Sequence, residues 1–218
     1  MIIMAESEGY RRIASIYDLI VSPVFKKMRK VVLEVSKAKE GDRLLEVACG
    51  TGEQALIFAH NGVNVTGVDV SEQMIKRAKK KTSRAGKDIN YLLQDASKLP
   101  FKNKEFDITT VSLGIHEIPP ETRDKIIKEM IRVTKDKGCI VIADYEHPDK
   151  KGFLQKMAKM EIITAERIAG KNHYNNYKTY MENGALHSLA KKFNLKIEEE
   201  QRYYGGNVAV LRLRKNNS

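Results

Sequence analysis

The densest chemistry lies where three acidic residues meet two closely spaced glycines. Leu44 to Gly52 reads Leu-Leu-Glu-Val-Ala-Cys-Gly-Thr-Gly, an apolar run that stops at a glycine turn. Glycines there let a backbone approach a ligand closely, and a helix opening after the turn offers unpaired N–H groups. Glu46 precedes the turn, Asp69 closes the next apolar run, and Asp95 follows the third. If those runs are parallel strands, their carboxyl ends line the crevice where such sheets bind ligands. An ionised carboxylate only accepts hydrogen bonds. Asp69 therefore suits a pair of ribose hydroxyls, Asp95 an adenine amino group, and Glu46 a cationic or amino group. One acid at a strand end commonly caps a helix or stays solvated; three beside one glycine turn point to a ligand. The glycines do not choose that ligand, because Gly50-x-Gly52 with Ala55 also fits a dinucleotide fingerprint.

The elements that must position these residues follow from the hydrophobic pattern. Tyr10, Ile13, Ile16, Tyr17 and Ile20 recur at helical spacing in an arm over 1–22. Pro23 then opens an amphipathic helix with Val24, Phe25, Met28, Val31, Val32 and Val35 on one face. Strands are expected over 44–48, 63–70, 89–93, 106–113 and 139–143. Helices are expected over 51–60, from Ser71 to near Gly86, and from Pro119-Pro120 through Thr134. Strands alternating with helices imply a mostly parallel sheet buried on both faces. After Asp144 the rhythm changes to two helical stretches, about 149–170 and 178–193. Leu195–Tyr203 and Asn207–Arg214 then flank Gly205-Gly206 and read as an antiparallel hairpin.

The 218 residues suit one α/β domain spanning 1–218, and 42% hydrophobic content is too high for a disordered chain. No apolar run approaches the roughly 20 residues that span a bilayer. The N-terminus lacks a basic segment followed by a long apolar stretch, so no secretory signal is expected. Cys49 and Cys139 are the only cysteines, which provides neither a disulfide framework nor a four-ligand zinc site. A reducing cytoplasm is the expected location. The net charge of +11 reads as a lysine-rich solvated surface. The basic run Lys76-Arg77 to Arg84 has few aromatics between its charges, which disfavours nucleic acid as a partner.

Glu46 to Gly52 resembles motif I of class I S-adenosylmethionine-dependent methyltransferases, with Ala48 in place of the first glycine. Gly67-Val68-Asp69-Val70-Ser71 with Met74 is similar to their next segment. Gln94-Asp95-Ala96, Leu99-Pro100-Phe101, Phe106-Asp107, Arg132-Val133 and Lys137-Gly138 continue the likeness over about 40–147. The resemblance implies a doubly wound, Rossmann-like α/β fold: a seven-stranded sheet, mostly parallel, with an antiparallel last strand. It implies S-adenosylmethionine as cofactor. Glu46, Ala48, Gly50 and Gly52 would hold its methionine moiety and Asp69 its ribose, while Val70, Met74, Asp95 and Ala96 would hold its adenine. Ser112 would join them from the fourth strand. Within the family, Tyr10 to Tyr17-Asp18 and Tyr203 to Ala209 look like segments of ubiquinone/menaquinone biosynthesis C-methyltransferases, in which a tyrosine such as Tyr17 helps close over the cofactor. Residues 1–40, an arm and helix, and 144–194, an inserted helical cap, would then form a lid.

Methyl transfer is an in-line displacement from a sulfonium, so holding nucleophile and methyl in line supplies much of the acceleration. His116, just past the fourth strand, has the ordinary pKa of a base should the nucleophile need to lose a proton; the alternative is a histidine that only packs. Ile115-His116-Glu117-Ile118 stands where base-directed amino methyltransferases carry Asn/Asp-Pro-Pro-aromatic, so amino methylation of DNA or RNA is disfavoured. Tyr145, His147, Tyr174, Tyr177 and Tyr180 could bind a polar aromatic acceptor or simply pack the cap. The expected activity is methyl transfer to a small-molecule or lipid acceptor, with a quinone-type ring as one candidate. An RNA methyltransferase, a nicotinamide-dependent oxidoreductase and a non-catalytic cofactor-binding regulator stay open as alternatives. Lys26, Lys27, Arg29 and Lys30 make the helix from Pro23 basic, so it could touch an anionic membrane, although inward packing is the favoured reading.

Overall fold

Near-continuous runs of Val, Ile and Leu become strands because a sheet buried on both faces needs apolar residues on both. The computed structural model describes residues 22–150 and 152–216. Its strands are β1 (Arg43–Val47), β2 (Asn64–Asp69), β3 (Asn90–Leu93), β4 (Phe106–Ser112), β5 (Thr134–Tyr145), β6 (Leu195–Tyr203) and β7 (Val208–Lys215). They form one sheet in the order β3-β2-β1-β4-β5-β7-β6. Pairings from β3 across to β5 are parallel, and β7 runs antiparallel to both β5 and β6. The doubly wound arrangement is as expected, and β7 inserts between β5 and β6. The strand order reverses between β1 and β4, which opens a crevice at their carboxyl ends.

The helices are α1 (Ser22–Ser36), α2 (Glu53–His60), α3 (Glu72–Arg84), α4 (Pro120–Val133), α5 (Phe153–Ala169), α6 (Lys171–Glu182) and α7 (Ala185–Lys192). Ser71 caps α3, its Oγ accepting from the Met74 N–H at 3.4 Å. Pro120 occupies the first turn of α4, where its missing N–H costs nothing.

The structure decides three expectations, bearing out the first and correcting the others. The first is the inward packing of α1, whose Met28, Val31, Val32 and Val35 are all buried in the core. Full burial of such a side chain is worth roughly 1.5–3 kcal/mol, against about 1 kcal/mol for a surface cation near anionic lipid. The second concerns the cap, where three helices replace the two expected stretches. Gly170 (φ 125°) and Gly184 (φ 85°) adopt backbone conformations that other residues rarely hold, and each ends one helix and precedes the next. The fifth strand is also longer than expected. Thr134 pairs with Phe106 ahead of a bulge, and the strand continues to Tyr145.

Candidate functional site

The glycine turn is held open by its own backbone geometry. Ala48 (φ 51°), Gly50 (φ 52°) and Gly52 (φ 74°) are all left-handed. Ala48 pays a strain of about 1 kcal/mol for its Cβ in that region. Gly114 makes room for it, since a Cβ at Gly114 would lie 3.2 Å from that of Ala48. A Cβ at Gly52 would strike the Tyr91 hydroxyl and lie 3.1 Å from the Ala78 Cβ. At Gly50, by contrast, a Cβ would meet nothing within 4 Å, so the backbone is bare and open there.

Asp69 braces this turn. Its Oδ2 accepts from the Gly50 N–H at 2.8 Å, and its Oδ1 accepts from the Ser71 N–H at 2.8 Å. Burial raises the pKa of the carboxyl group, while the amide donors from Ser71, Gly50 and Val70 oppose the rise. Each oxygen keeps a lone pair for a ligand hydroxyl. Glu46, one residue before the end of β1, is 3% exposed. Its Oε2 has no hydrogen-bond partner among the described residues. Burial pushes its pKa up to about 8, against the attraction of Arg29. A buried carboxylate without a partner is costly, so this oxygen is suited to a cationic donor brought by a ligand.

The remaining expected cofactor residues sit around the same crevice. Val70 at the end of β2 is 52% exposed, an apolar surface beside half-buried Met74. Asp95 is half-buried, with Oδ1 accepting from the Ser97 N–H at 2.8 Å, and Ala96 is buried. Ser112 Oγ, at the end of β4, is buried and has no partner among the described residues. Tyr17 lies outside the described residues. Cys49 is buried behind the turn with its thiol pKa pushed up by burial, which removes it as a nucleophile.

His116 departs from its expected role. It is 3% exposed rather than open to the crevice. Its Nδ1–H donates to Asp144 Oδ1 at 2.6 Å, and its Nε2 lies 3.4 Å from Glu166 Oε1. Burial alone would lower its pKa, but Asp144 and Glu166 together raise it well above the ordinary value. Carboxylates on both sides of the ring favour its protonated form, an environment that suits holding a proton better than taking one.

Glu166 reaches this cluster from α5, and Tyr145 Oη donates to its Oε1 at 3.2 Å. His173 on α6 lies between Glu117, at 3.0 Å, and Glu166, at 3.6 Å. His187 on α7 bridges Glu146 at 2.8 Å and Glu200 at 3.0 Å. Arg123 locks the loop that carries His116, donating to the carbonyls of Ile115 (2.9 Å) and Ile118 (2.7 Å). The sequence reading did not find these partners. The signal that could have found Arg123 is its place one turn into a helix that begins beside the β4 loop. Tyr145, Tyr177 and Tyr180 are buried, and Tyr180 Oη donates to the Tyr145 carbonyl at 2.9 Å, so these tyrosines pack the cap. His147 Nε2 meets the Met181 carbonyl at 2.8 Å.

Comparison with known proteins fixes the family. Residues 7–199 match the model of the ubiE/COQ5 methyltransferase family. The chain belongs to that family. Among its relatives, a demethylmenaquinone methyltransferase of Paenarthrobacter aurescens is 35% identical over 131 residues, 60% of this chain and 49% of that protein. The chain thus spans about half the length of that curated relative. Two solved structures share the fold. A Pyrococcus horikoshii protein, PH0226, superposes with a TM-score of 0.71 at 19% identity, over 97% of this chain and 100% of that one. An S-adenosylmethionine-dependent methyltransferase of Aquifex aeolicus superposes with a TM-score of 0.60 at 17% identity, over 85% and 88%.

Proposed function

We propose that the chain transfers a methyl group from S-adenosylmethionine to a small-molecule or lipid acceptor with a quinone-type ring. The observation that carries this reading is the buried Glu46 oxygen without a partner, set beside a bare glycine turn that Asp69 braces. The residues fit the cofactor. Glu46 would hold its ammonium group, Asp69 its ribose hydroxyls, and Ser112 a polar group near the methionine end. Val70 and Met74 would cover an adenine face, with Asp95 and Ala96 at its edge. When bound, the cofactor supplies an electrophilic methyl on a sulfonium.

The chain's own part is placement and exclusion of water. The β4 loop, locked by Arg123 and by the Asp144 carboxylate, would hold the acceptor side of the crevice still. His116 as an imidazolium is a positioning residue in this scheme and is not a base. With the methyl supplied by the bound cofactor, transfer to a ring carbon would leave one ring proton to be released to solvent when the crevice reopens. The likeness to demethylmenaquinone methyltransferases supports a ring acceptor carrying a lipid tail. The matched family and the placement of Glu46, Asp69 and Asp95 favour this over a nicotinamide oxidoreductase.

The test is incubation with isotopically labelled S-adenosylmethionine and a short-chain demethylated naphthoquinol, with products read by mass spectrometry. A labelled ring methyl supports the reading. Cofactor binding with no transfer to any quinol would sink the acceptor and favour a non-catalytic regulator.

A further inference from the structure

The helix α5 has two opposed faces. Ala158, Ile162 and Glu166 point inward and are buried, Glu166 into the His116 cluster. The opposite face carries Phe153 and Leu154, 76% and 74% exposed, followed by exposed Met157, Met160 and Ile168. At 100° per residue these five fall within one sector of the helix. Exposed Lys156, Lys159 and Arg167 lie together along one margin of that sector. Exposed Glu161 and Thr164 fall inside the sector between Met160 and Ile168, so its unbroken apolar part is Phe153, Leu154, Met157 and Met160 over the first two turns. Lys150 and Lys171 extend the positive charge beyond its two ends. An exposed apolar patch of this kind marks an interaction surface.

We infer that the outer face of α5 docks on an anionic lipid bilayer. An apolar sector edged by cations suits the boundary between headgroups and acyl chains, where the apolar side chains leave water and the cations meet anionic headgroups. The chain's net charge of +11 adds long-range attraction of the same sign. The same helix roofs the candidate acceptor side through Glu166, so docking would set that roof at the membrane surface. The reading of the acceptor as a lipid-tailed ring is what makes a bilayer the fitting partner. This role falls to α5 and not to α1, whose Met28, Val31, Val32 and Val35 are spent on the core.

Sedimentation of the full chain with vesicles tests this, using phosphatidylcholine alone and phosphatidylcholine mixed with phosphatidylglycerol. Binding to the mixed vesicles that fades with added salt is expected, because surface attraction decays within a Debye length. The triple variant Phe153→Ser, Leu154→Ser, Met160→Ser should lose about tenfold or more in binding. Its melting temperature, cofactor affinity and turnover of a short-chain quinol should stay unchanged. Oxidation of Met157 and Met160 should be rapid in the free protein and slowed by mixed vesicles. Full binding by the variant, or no binding to mixed vesicles at low salt, overturns the inference. Methionines already protected without vesicles would mean that residues 1–21 or a second copy covers the face, and would also overturn it. Vesicle binding without methyl transfer would count against the proposed reaction and leave the docking surface standing.

Discussion

The loops after β1, β2 and β4 and the cap over β5 both bury carboxylates, but they pair them differently. On the cofactor side, Glu46 Oε2 and Ser112 Oγ have no partner among the described residues, and Val70 leaves an apolar face in water. On the cap side, three histidines each lie between two carboxylates: His116 with Asp144 and Glu166, His173 with Glu117 and Glu166, and His187 with Glu146 and Glu200. Each of these bridges joins a cap helix to the sheet or its loops. An unmet polar group beside bare backbone marks a place for a ligand, whereas carboxylates shared with histidines mark a fastening, even where Glu166 Oε2 makes only an ion pair with His173 at 3.6 Å. A histidine next to two acids thus reads as a clasp, although the same residue types in sequence suggest a base.

The strongest way to break this contrast is His116→Ala. The substitution leaves Asp144 and Glu166 buried without their shared counter-charge, and losing one partner of a buried pair costs about 3–5 kcal/mol. At roughly 2–4 °C per kcal/mol for a chain of this size, the melting temperature should fall by about 10 °C. A stable variant with turnover lowered about 10²-fold or more would instead restore the base role. Gly52→Val comes next, at about 2–4 kcal/mol, because it combines a strained left-handed φ with a clash against Tyr91. Urea unfolding would measure it, and a neutral result would mean that the turn is not pinned by Tyr91. Asp69→Ala removes the acceptor for two amides and for the ribose. Calorimetry should show cofactor affinity about ten- to a hundredfold weaker in a folded protein.

The smallest expected effect is on pH. The folded pKa values of His116, His173 and His187 are all raised by their carboxylate partners, against burial. Such groups add stability that is fully present below the ordinary histidine value, near 6.5, and lost as pH rises through the folded values. Hydrogen exchange corrected for intrinsic rate should therefore speed up in α5, α6 and α7 above that pH. The strands β1, β4 and β5 should stay protected. Uniform loss of protection across cap and sheet would remove the distinction between the two regions.

The cofactor side was legible because its information is local. Glu46, Gly50 and Gly52 lie within seven residues, and Asp69 and Asp95 each end or follow one apolar run. Ser71, Pro120 and the closing hairpin likewise announce themselves through turn and cap chemistry. The cap was less legible because its glycines, Gly170 and Gly184, sit in polar helical stretches where their breaks do not interrupt a hydrophobic period. The environment of His116 depends on Glu166, fifty residues further on, and only the folded chain brings the two together. Asp144 was visible as a strand end, but three of the four donors it accepts, from Ile115 and His116 (N and Nδ1), come from the loop after β4, with Tyr145 N the only one from its own strand.

The central claim is that Glu46 is a carboxyl site for a cation brought by the cofactor, and a proton count tests it most directly. In the free protein its pKa is about 8, so at pH 6.5 the group is mostly protonated. Seating an ammonium group against it should drive the proton off. Titration of S-adenosylmethionine at pH 6.5 in buffers of different ionisation enthalpy should therefore show release of close to one proton per cofactor bound. Glu46→Gln should abolish the release and weaken binding, and NAD should give neither signal. Tight binding of S-adenosylmethionine with no proton released, or release that persists in Glu46→Gln, would contradict the assignment of this carboxyl group to the cofactor.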